Sequence, residues 1–413
     1  MDWQVLLGGT LIDGTGCDPV PNSAIVINGE RIVYAGPNNG VEWPETAVVQ
    51  RIDGKTVMPG IIDCHDHLAH PGLDVERRIE SPLTLGVYET GVSLRQTLHA
   101  GITTVRDAGG LDYGAKLAVE QGIVEGPRLI VSLAILCPTG GLGDPCCPSG
   151  TTIPSLPGLP DGIRNGPDDC RLGVREMVAA GADAIKIATT GGVGSRWHGA
   201  LDRQFTDQEV YALVDEAHAW GKRVLSHSHG GSGARAAIKA GVDSLDHGSY
   251  LHQDEDLLRE MAERHIFLVP TLSVVIDHLA RGSAVHRGKA QGILEHCHRS
   301  IQRACELGVP MAMGTDAGAY GHAKNARELR FLVDAGLSPM QAIEMSTARA
   351  AECIGLERDL GTLSAAKYAD LLVLDGDPLQ DVNILTHQDK LLMVMKQGHA
   401  YVNKLVGEMS AVS

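Results

Sequence analysis

Short apolar runs alternate with helical segments through the middle of this chain, over roughly 300 of its 413 residues. Parallel strands need a long crossover connection, usually a helix, so this alternation predicts a parallel sheet with helices outside it. About eight strands fit into the region, which favours an α/β fold of the closed (β/α)8 barrel type, the TIM barrel. The runs predicted as strands are 57–68, 101–107, 128–132, 184–187, 223–227, 243–246, 266–269 and 311–314.

Helical segments are expected near 90–100 and 168–180, and a third helix is marked by signals at both of its ends. At its start, Thr206 and a glutamate three residues later, Glu209, form the pattern of a capping box. At its end, Gly221 stands where a helix needs a residue with left-handed backbone conformation.

Both ends of the chain consist of short β segments bounded by Gly, Asp and Asn turns. The dipeptide Asn28-Gly29 is a hairpin signal between two of them. The predicted segments are 4–7, 24–27, 31–35, 369–374, 390–395 and 399–402. We therefore predict a small β-sandwich domain built from both termini, residues 1–56 plus 361–413, and a catalytic barrel domain of residues 57–360.

The composition argues against several classes of protein. A formal net charge of −16 disfavours binding to a phosphate backbone, so no nucleic-acid partner is expected. No apolar run reaches the roughly 18 residues of a membrane span, so no membrane partner is expected. The start of the sequence lacks the pattern of a secretion signal, and nine Cys occur without a C-x-x-C pair. We expect reduced thiols and a cytoplasmic protein, although a signal peptide removed beforehand would leave no trace.

Polar residues stand where the predicted strands end. His65 and His67 are two residues apart, so in a strand both imidazoles face the same side and can share a metal. By itself such a pair would equally fit packed or surface histidines. The polar residues after later strands are Lys186, His227, His247 and Asp316. In a parallel barrel all strand C-termini lie on one rim, and enzymes with this fold have their active sites there. The sequence therefore predicts that these side chains converge.

Lys186 is the unusual member of this set, because an ammonium group repels metal ions. It becomes a ligand when its neutral amine reacts with carbon dioxide to give a carbamate, which can bridge two metals. The alternative is a lysine whose stem packs at the strand end while its amine reaches water. Beside four histidines, we favour a carboxylated Lys186.

The motifs at these strand ends resemble those of the amidohydrolase superfamily, and they cover nearly the whole chain. Within it, the sequence looks most like the imidazolonepropionase-related group, which includes Xaa-Pro dipeptidases and ochratoxin-hydrolysing amidases. The Gly191-Gly192 pair after the lysine also fits that group. The motifs are Pro-Gly-Ile-Ile-Asp-Cys-His-Asp-His at 59–67, Ala-Ile-Lys-Ile at 184–187, His-Ser-His-Gly at 227–230, Asp-His-Gly at 246–248 and Gly-Thr-Asp at 314–316.

The resemblance implies two divalent metal ions, with zinc favoured, and a role for each strand-end residue. The implied roles are His65 and His67 on the first metal, Lys186 bridging both, His227 and His247 on the second, and Asp316 as first-metal ligand and catalytic proton carrier. His229 shares a strand face with His227 and could replace it as ligand. The family pattern places His227 first, so His229 is expected above the metals, in contact with substrate.

One loop departs from the family pattern. Members often carry a histidine after the Gly-Gly pair of the strand-3 loop, whereas here Gly140-Gly141 is followed by Leu142. Leu142 is therefore the expected substrate-contact position, and the usual contacts of this loop are in doubt. The aperiodic stretch 137–167 is expected to be a lid or specificity loop. For a substrate carboxylate the candidates are Arg196 and Arg203, either of which fits a surface charge equally well.

The expected reaction is hydrolysis of an amide bond in a dipeptide or N-acyl amino acid, of the Xaa-Pro or ochratoxin type, by a metal-bridging hydroxide. Asp316 would carry the proton to the departing nitrogen. Besides this small-molecule substrate, self-association into a homo-oligomer is expected. A lactonase or cyclic-amide hydrolase would use the same metals. A one-metal deaminase is disfavoured by Lys186 and by the histidine pair at 227 and 229, and a non-catalytic scaffold by the complete ligand set.

Three further polar residues lie near the predicted rim. His70 and His198 fall in probable loops and are expected to be plain solvent-exposed histidines. Asp107 ends a predicted strand, where an ion pair with the adjacent Arg106 is as reasonable as a catalytic role.

Overall fold

The structure is a computed structural model that describes residues 3–70, 72, 74–154, 158–195 and 198–405. The strands are β1 Trp3–Leu7, β2 Thr10–Leu11, β3 Ser23–Asn28, β4 Arg31–Pro37, β5 Val48–Arg51, β6 Thr56–Pro59, β7 Ile61–Asp66, β8 Ile102–Asp107, β9 Arg128–Val131, β10 Ile135–Leu136, β11 Ala184–Ala188, β12 Arg223–Ser228, β13 Ser244–His247, β14 Phe267–Val269, β15 Leu371–Leu374, β16 Leu391–Lys396 and β17 His399–Asn403. The helices are α1 Val75–Glu80, α2 Leu83–His99, α3 Tyr113–Glu120, α4 Pro167–Ala179, α5 Asp207–Ala219, α6 Gly231–Ala240, α7 Glu255–Glu263, α8 Leu272–Arg281, α9 Ala284–Glu306, α10 Arg327–Asp334, α11 Pro339–Met345 and α12 Ala348–Cys353. Two short 3-10 helices span Leu251–Gln253 and Val382–Thr386.

The barrel strands form two parallel runs, β7-β8-β9 and β10-β11-β12-β13-β14. A backbone hydrogen bond from Asp183 N to Val131 O (2.8 Å) joins the end of β9 to the residue before β11. The predicted strands at 101–107 through 266–269 are thus confirmed, with ends that shift by a residue or two. Their side chains are almost entirely buried, as expected for strands that are covered on both faces.

The segment after Val309 closes the barrel, although it does not form a regular strand. Ala312 N donates to Leu268 O (3.0 Å), which lies in β14. Cys64 N, in β7, donates to Met313 O (2.9 Å). The same segment therefore hydrogen-bonds to the last and to the first barrel strand, and the predicted (β/α)8 barrel is confirmed.

The terminal strands form two sheets, ordered β4-β3-β1-β5 and β17-β16-β15-β6-β2. Strands from both ends of the chain meet in the second sheet, where β15 pairs antiparallel with β6. The predicted hairpin after β3 is present, and Gly29 adopts the positive φ of +60° that such a turn needs. Residues of both sheets share one core, which contains Leu6, Leu11, Ile25, Ile27, Ile32, Ile52, Val57, Leu363, Ala369, Leu371, Val373, Met393, Met395 and Leu405. The predicted small β-sandwich from both termini is confirmed.

By contact density, the chain divides into two compact units. Among the described residues, one unit holds 3–63, 95–104 and 323–405, and the other holds 64–94 and 105–322. The second unit contains every described site residue that the sequence predicts. The predicted domain boundaries after residues 56 and 360 stay a prediction. No helix in the described part of the chain is both long and apolar enough to cross a membrane.

The helix α5 shows how local sequence sets an element's ends. Thr206 Oγ1 accepts the backbone N–H of Glu209 (3.3 Å), while the Glu209 carboxylate accepts the N–H of Thr206 (2.8 Å). This is the predicted capping box, and it satisfies two backbone donors that the helix start leaves open. Gly221 follows the helix end with a φ of +65°, as predicted.

Glu216 on α5 ties this helix to α4 and makes stability depend on pH. Hydrogen bonds from the Arg175 guanidinium, aided by the Trp220 indole N–H, hold the pKa of Glu216 at about 2, below its ordinary 4.5. A depressed folded-state pKa stabilises the protein above the unfolded value, and this contribution is lost as pH falls from about 4.5 to 2. We expect Glu216→Gln to lower the free energy of unfolding at pH 7 more than at pH 3, measured by urea denaturation.

The exposed Glu263 supplies the matched control. Glu263→Gln should change the free energy of unfolding little and equally at both pH values. Identical pH dependence in the two variants would contradict the stabilising role of the Glu216 carboxylate.

Candidate active site

A cavity of about 530 Å³ opens at the carboxyl ends of the barrel strands. Loops wall its outer part, including Leu142, Ile153 and Leu159 from the long stretch between β10 and α4. The polar residues that line it include His65, His67, Lys186, His227, His229, His247 and Asp316. The structure therefore brings together all of the predicted ligands and His229, which the sequence spreads over roughly 250 positions.

Asp316 forms one corner of the cluster together with the histidines at the end of β7. Its Oδ1 lies 3.5 Å from His65 Nε2 and 3.3 Å from His67 Nε2. Burial opposes charge on both partners, yet Asp316 raises the pKa of His67 to about 9. Burial would likewise raise the pKa of Asp316, but His65 and His67 hold it well below its usual range. This corner therefore stabilises positive charge.

Three of the histidines are oriented through their Nδ1 atoms, which leaves Nε2 for the cavity. The Nδ1 contacts are His65 to Asp246 Oδ2 (2.9 Å), His67 to Gly109 O (2.8 Å) and His247 to Thr271 Oγ1 (2.7 Å). Metal-binding histidines commonly use one nitrogen in this way, because the contact fixes the tautomer and the ring.

The Nε2 atom of His247 is the clearest sign of a missing partner. This atom is buried and takes part in no hydrogen bond within the described part of the chain. Ligand atoms of His65, His247 and Asp316 all lie within 4.8 Å of one another, a grouping that can hold a metal ion. A buried polar atom without a partner is costly, so these donors fit a bound cation.

His227 and His229 both lie against His247. The His227 ring centroid is 4.3 Å from that of His247, and the His229 ring stacks on it at 5.0 Å. His227 Nε2 contacts Gly191 O (3.0 Å), whereas His229 Nδ1 contacts Ser249 Oγ (2.8 Å). Burial lowers the pKa of His227 and brings that of His229 to about 4, so both rings are neutral. The choice of His227 as ligand stays a prediction.

Lys186 lies at the floor of the cavity beside the carboxylate of Asp246, for which the sequence predicted no role. Its Nζ is 2.5 Å from Asp246 Oδ2, and Arg106 approaches the other oxygen at 3.4 Å. Burial lowers the pKa of the Lys186 amine, an effect that Asp246 opposes. The signal for Asp246 was its place in the motif at 246–248, because a charged residue inside an apolar strand needs a buried partner.

Asp107 and Arg106 have different partners, because successive strand residues face opposite sides. Arg106 Nε donates to Cys64 O (2.7 Å). Asp107 accepts the backbone N–H groups of Leu68 (2.8 Å) and Gly109 (2.9 Å). Burial raises its pKa to about 6. Asp107 thus fixes the loop after β7 in place, and this also fixes the position of His67.

His247, Thr271 and Asp316 adopt the left-handed backbone region that disfavours side chains. The φ angles are +76° at His247, +52° at Thr271 and +56° at Asp316. Each costs on the order of 1–2 kcal/mol for a non-glycine residue. Nothing in the sequence signals these conformations, which aim the side chains of His247 and Asp316 into the cluster.

The residues that the sequence predicted as substrate contacts lie in different environments. Leu142 lines the cavity, and its N–H donates to Gln204 Oε1 (2.8 Å). Arg196 lies outside the described residues. Arg203 donates to the Asp207 carboxylate (2.7 Å), which fits the surface charge that was the equal alternative for this residue.

Two loop histidines differ from the exposed residues that the sequence suggested. His70 is half-buried and lines the cavity. His198 is also partly buried, and its carbonyl accepts a hydrogen bond from Lys289 Nζ (2.6 Å). Loop residues without periodicity give no sign of burial in the sequence, because their environment comes from distant segments.

Comparison with known proteins agrees with this fold. The model of the amidohydrolase family matches residues 56–401. Ochratoxinase from Aspergillus niger is 32% identical over 425 residues, covering 98% of this chain and 87% of the relative. The solved structure of an Xaa-Pro dipeptidase with bound methionine is 29% identical, with a TM-score of 0.88 over 97% of this chain and 100% of that one. A prolidase complexed with N-methylphosphonate-L-proline is 31% identical, with a TM-score of 0.89 over the same shares.

A barrel with a histidine and aspartate cluster at the carboxyl ends of its strands is typical of TIM-barrel enzymes, whose active sites lie on that rim. The chain belongs to the amidohydrolase family. The predicted resemblance, including the group with Xaa-Pro dipeptidases and ochratoxin-hydrolysing amidases, is confirmed.

Proposed function

We propose that this enzyme is a binuclear metal-dependent amidase that cleaves the amide bond of a dipeptide or N-acyl amino acid. The observation that carries this proposal is the buried Nε2 of His247, which has no hydrogen-bond partner among the described residues and lies within reach of His65 and Asp316. A cavity of about 530 Å³ above these atoms is large enough for a small-molecule substrate.

The metal positions are assigned from the resemblance to the amidohydrolase superfamily. His65, His67 and Asp316 would hold one divalent ion, with zinc suited to imidazole and carboxylate ligands. His227 and His247 would hold the second, and a carboxylated Lys186 would bridge the two. Carbamate formation needs a neutral amine, which the burial of Lys186 favours. When bound, such ions make hydroxide available near neutral pH and polarise the substrate carbonyl.

Residues of the chain itself transfer the proton and contact the substrate. Asp316 accepts the proton of the attacking water and delivers it to the leaving nitrogen. His229, neutral and held by Ser249, is placed to contact the substrate above the cluster. The apolar loop residues exclude water and receive the substrate's side chain.

The substrate class is inferred from the relatives and the cavity. The named relatives are an ochratoxinase, an Xaa-Pro dipeptidase and a prolidase, all of which point to amides of an amino acid. The described apolar lining includes Leu83, Leu133, Ile135, Ile153, Leu159 and Val274, which suits a bulky apolar group or a proline ring.

The test combines metal analysis with a substrate panel. Protein produced with zinc and bicarbonate should contain two metal ions per chain and hydrolyse Xaa-Pro dipeptides, N-acyl amino acids or ochratoxin-type amides. A panel of lactones and cyclic amides runs in parallel. Hydrolysis of lactones alone would overturn the amidase in favour of a lactonase, and one metal or none without hydrolysis would overturn the binuclear site.

Thr271 offers a test of the metal site without removing a ligand. Its Oγ1 lies 2.7 Å from His247 Nδ1, and Thr271→Val keeps the shape while removing that partner. Losing such an orienting contact typically lowers metal affinity by about 10- to 100-fold. We expect this loss in competition titrations with a chromophoric chelator. Thr362→Val in the sandwich is the control, and equal metal affinity in the two variants would contradict the role of His247.

A further inference from the structure

The cavity contains one cation that the chemistry described above does not use. Of the described residues that line it, Arg78 and Lys186 are the arginine and the lysine. Lys186 is paired with Asp246, whereas the half-buried guanidinium of Arg78 has no hydrogen bond or ion pair within the described part of the chain. Its neighbour on α1, Arg77, is paired with Glu89.

A guanidinium that is partly removed from water needs an anion. Burial lowers the pKa of Arg78, although the nearby Cys147 raises it, so the protein itself supplies little compensation for the charge. Arginine presents a planar set of donors that matches a carboxylate with two parallel hydrogen bonds. The missing partner of Arg78 is therefore best explained as an anionic group of the substrate.

His70 lies on the cavity lining together with Arg78 and His67. The rings of His67 and His70 are 6.2 Å apart. His70 Nδ1 is buried and has no hydrogen-bond partner among the described residues. Arg78 therefore lines the same cavity as the corner formed by His67 and Asp316.

Acidic residues of the lining do not neutralise Arg78. Glu89 is engaged by Arg77. Asp144 accepts backbone N–H groups from Gly140 (2.7 Å) and Cys146 (2.8 Å), and Asp161 accepts the N–H of Ile163 (3.0 Å). Asp144 and Asp161 are thus engaged by backbone N–H groups of their own loop.

We propose that Arg78 binds the free α-carboxylate of the amino acid on the leaving side of the scissile amide, and so makes the enzyme selective for amides of free amino acids. The carboxyl carbon lies two bonds from the leaving nitrogen, so its anchor must stand close to the proton donor Asp316. His70 is the neutral neighbour that donates or accepts one further hydrogen bond. This assignment deepens the proposed amidase function and rests on it.

The test compares two substrates that differ only in this charge. N-acetylphenylalanine carries the carboxylate, and its carboxamide lacks it. We expect Arg78→Gln to lower kcat/KM for the acid relative to the carboxamide by about 10- to 100-fold, chiefly through KM, because a charge-assisted pair is lost. Arg78→Lys should restore part of the ratio, since the charge remains but the planar donor set does not. Arg77→Gln, on the same helix, should leave the ratio of the two substrates unchanged.

The outcomes separate this inference from the function beneath it. An unchanged ratio in Arg78→Gln, with both substrates still hydrolysed, would overturn the role of Arg78 and leave the amidase intact. If the parent enzyme hydrolyses neither substrate, calorimetric binding of N-acetylphenylalanine to the zinc-loaded protein decides. Weaker binding of the acid, but not of the carboxamide, by Arg78→Gln would then support the carboxylate site without the amidase, and equal binding by both proteins would overturn it.

Discussion

Replacing Lys186 by alanine is expected to abolish hydrolysis and to lower metal affinity by more than about 100-fold, beyond the usual effect of losing an orienting contact. The side chain is buried in the middle of β11 with its Nζ beside Asp246, where no exposed residue can take over its role. Without a bridging carbamate, two cations would face each other with one anionic ligand fewer. Metal content by mass spectrometry and turnover of the best amide in the panel measure both effects.

The design includes a rescue and a control for this variant. Short carboxylic acids such as acetate or propionate should restore part of the activity, because their carboxylate fits the space that the lysine vacates. Lys116→Ala removes a lysine paired with Asp183 outside the site and should keep metal and turnover. Lys186→Met retains an aliphatic side chain at this position and is the control for misfolding of the alanine variant. Full metal occupancy and parental activity in a folded Lys186 variant would refute the bridging role.

Asp316→Asn is expected to keep bound metal while kcat falls by about 10²- to 10⁴-fold, the range that a general acid–base group contributes. Asparagine preserves the shape and one oxygen ligand, but it cannot take the proton from water and pass it to the leaving nitrogen. His65 and His67 hold the pKa of Asp316 well below its usual range, so the residue is the anionic acceptor at the start of the reaction.

Metal analysis and steady-state kinetics on the same preparation separate binding from turnover in this variant. Asp215→Asn, at an exposed carboxylate paired with Arg171, is the matched control and should behave like the parent. Parental kcat in Asp316→Asn would mean that another group moves the proton.

The convergence of the ligand residues was predictable from the sequence because it follows from a general property of parallel barrels. Each apolar run ended in one polar residue, and strands that run in parallel end on the same rim. The capping box of Thr206 and Glu209 and the hairpin glycine Gly29 were predictable for a different reason, because their hydrogen bonds and backbone angles depend on nearby residues only.

The chain's sequence by itself thus determined the barrel, the terminal sandwich, the family and the set of residues at the strand ends. Only the tertiary structure decided which partners those residues have. Asp246 contacts Lys186, His65 and Arg106, and the four residues come from four different strands. The place of Arg78 in the cavity lining and the left-handed φ of Asp316 likewise cannot be seen in the linear pattern. Burial and charge pairing depend on contacts between distant segments, and periodicity and local propensity carry no record of those contacts.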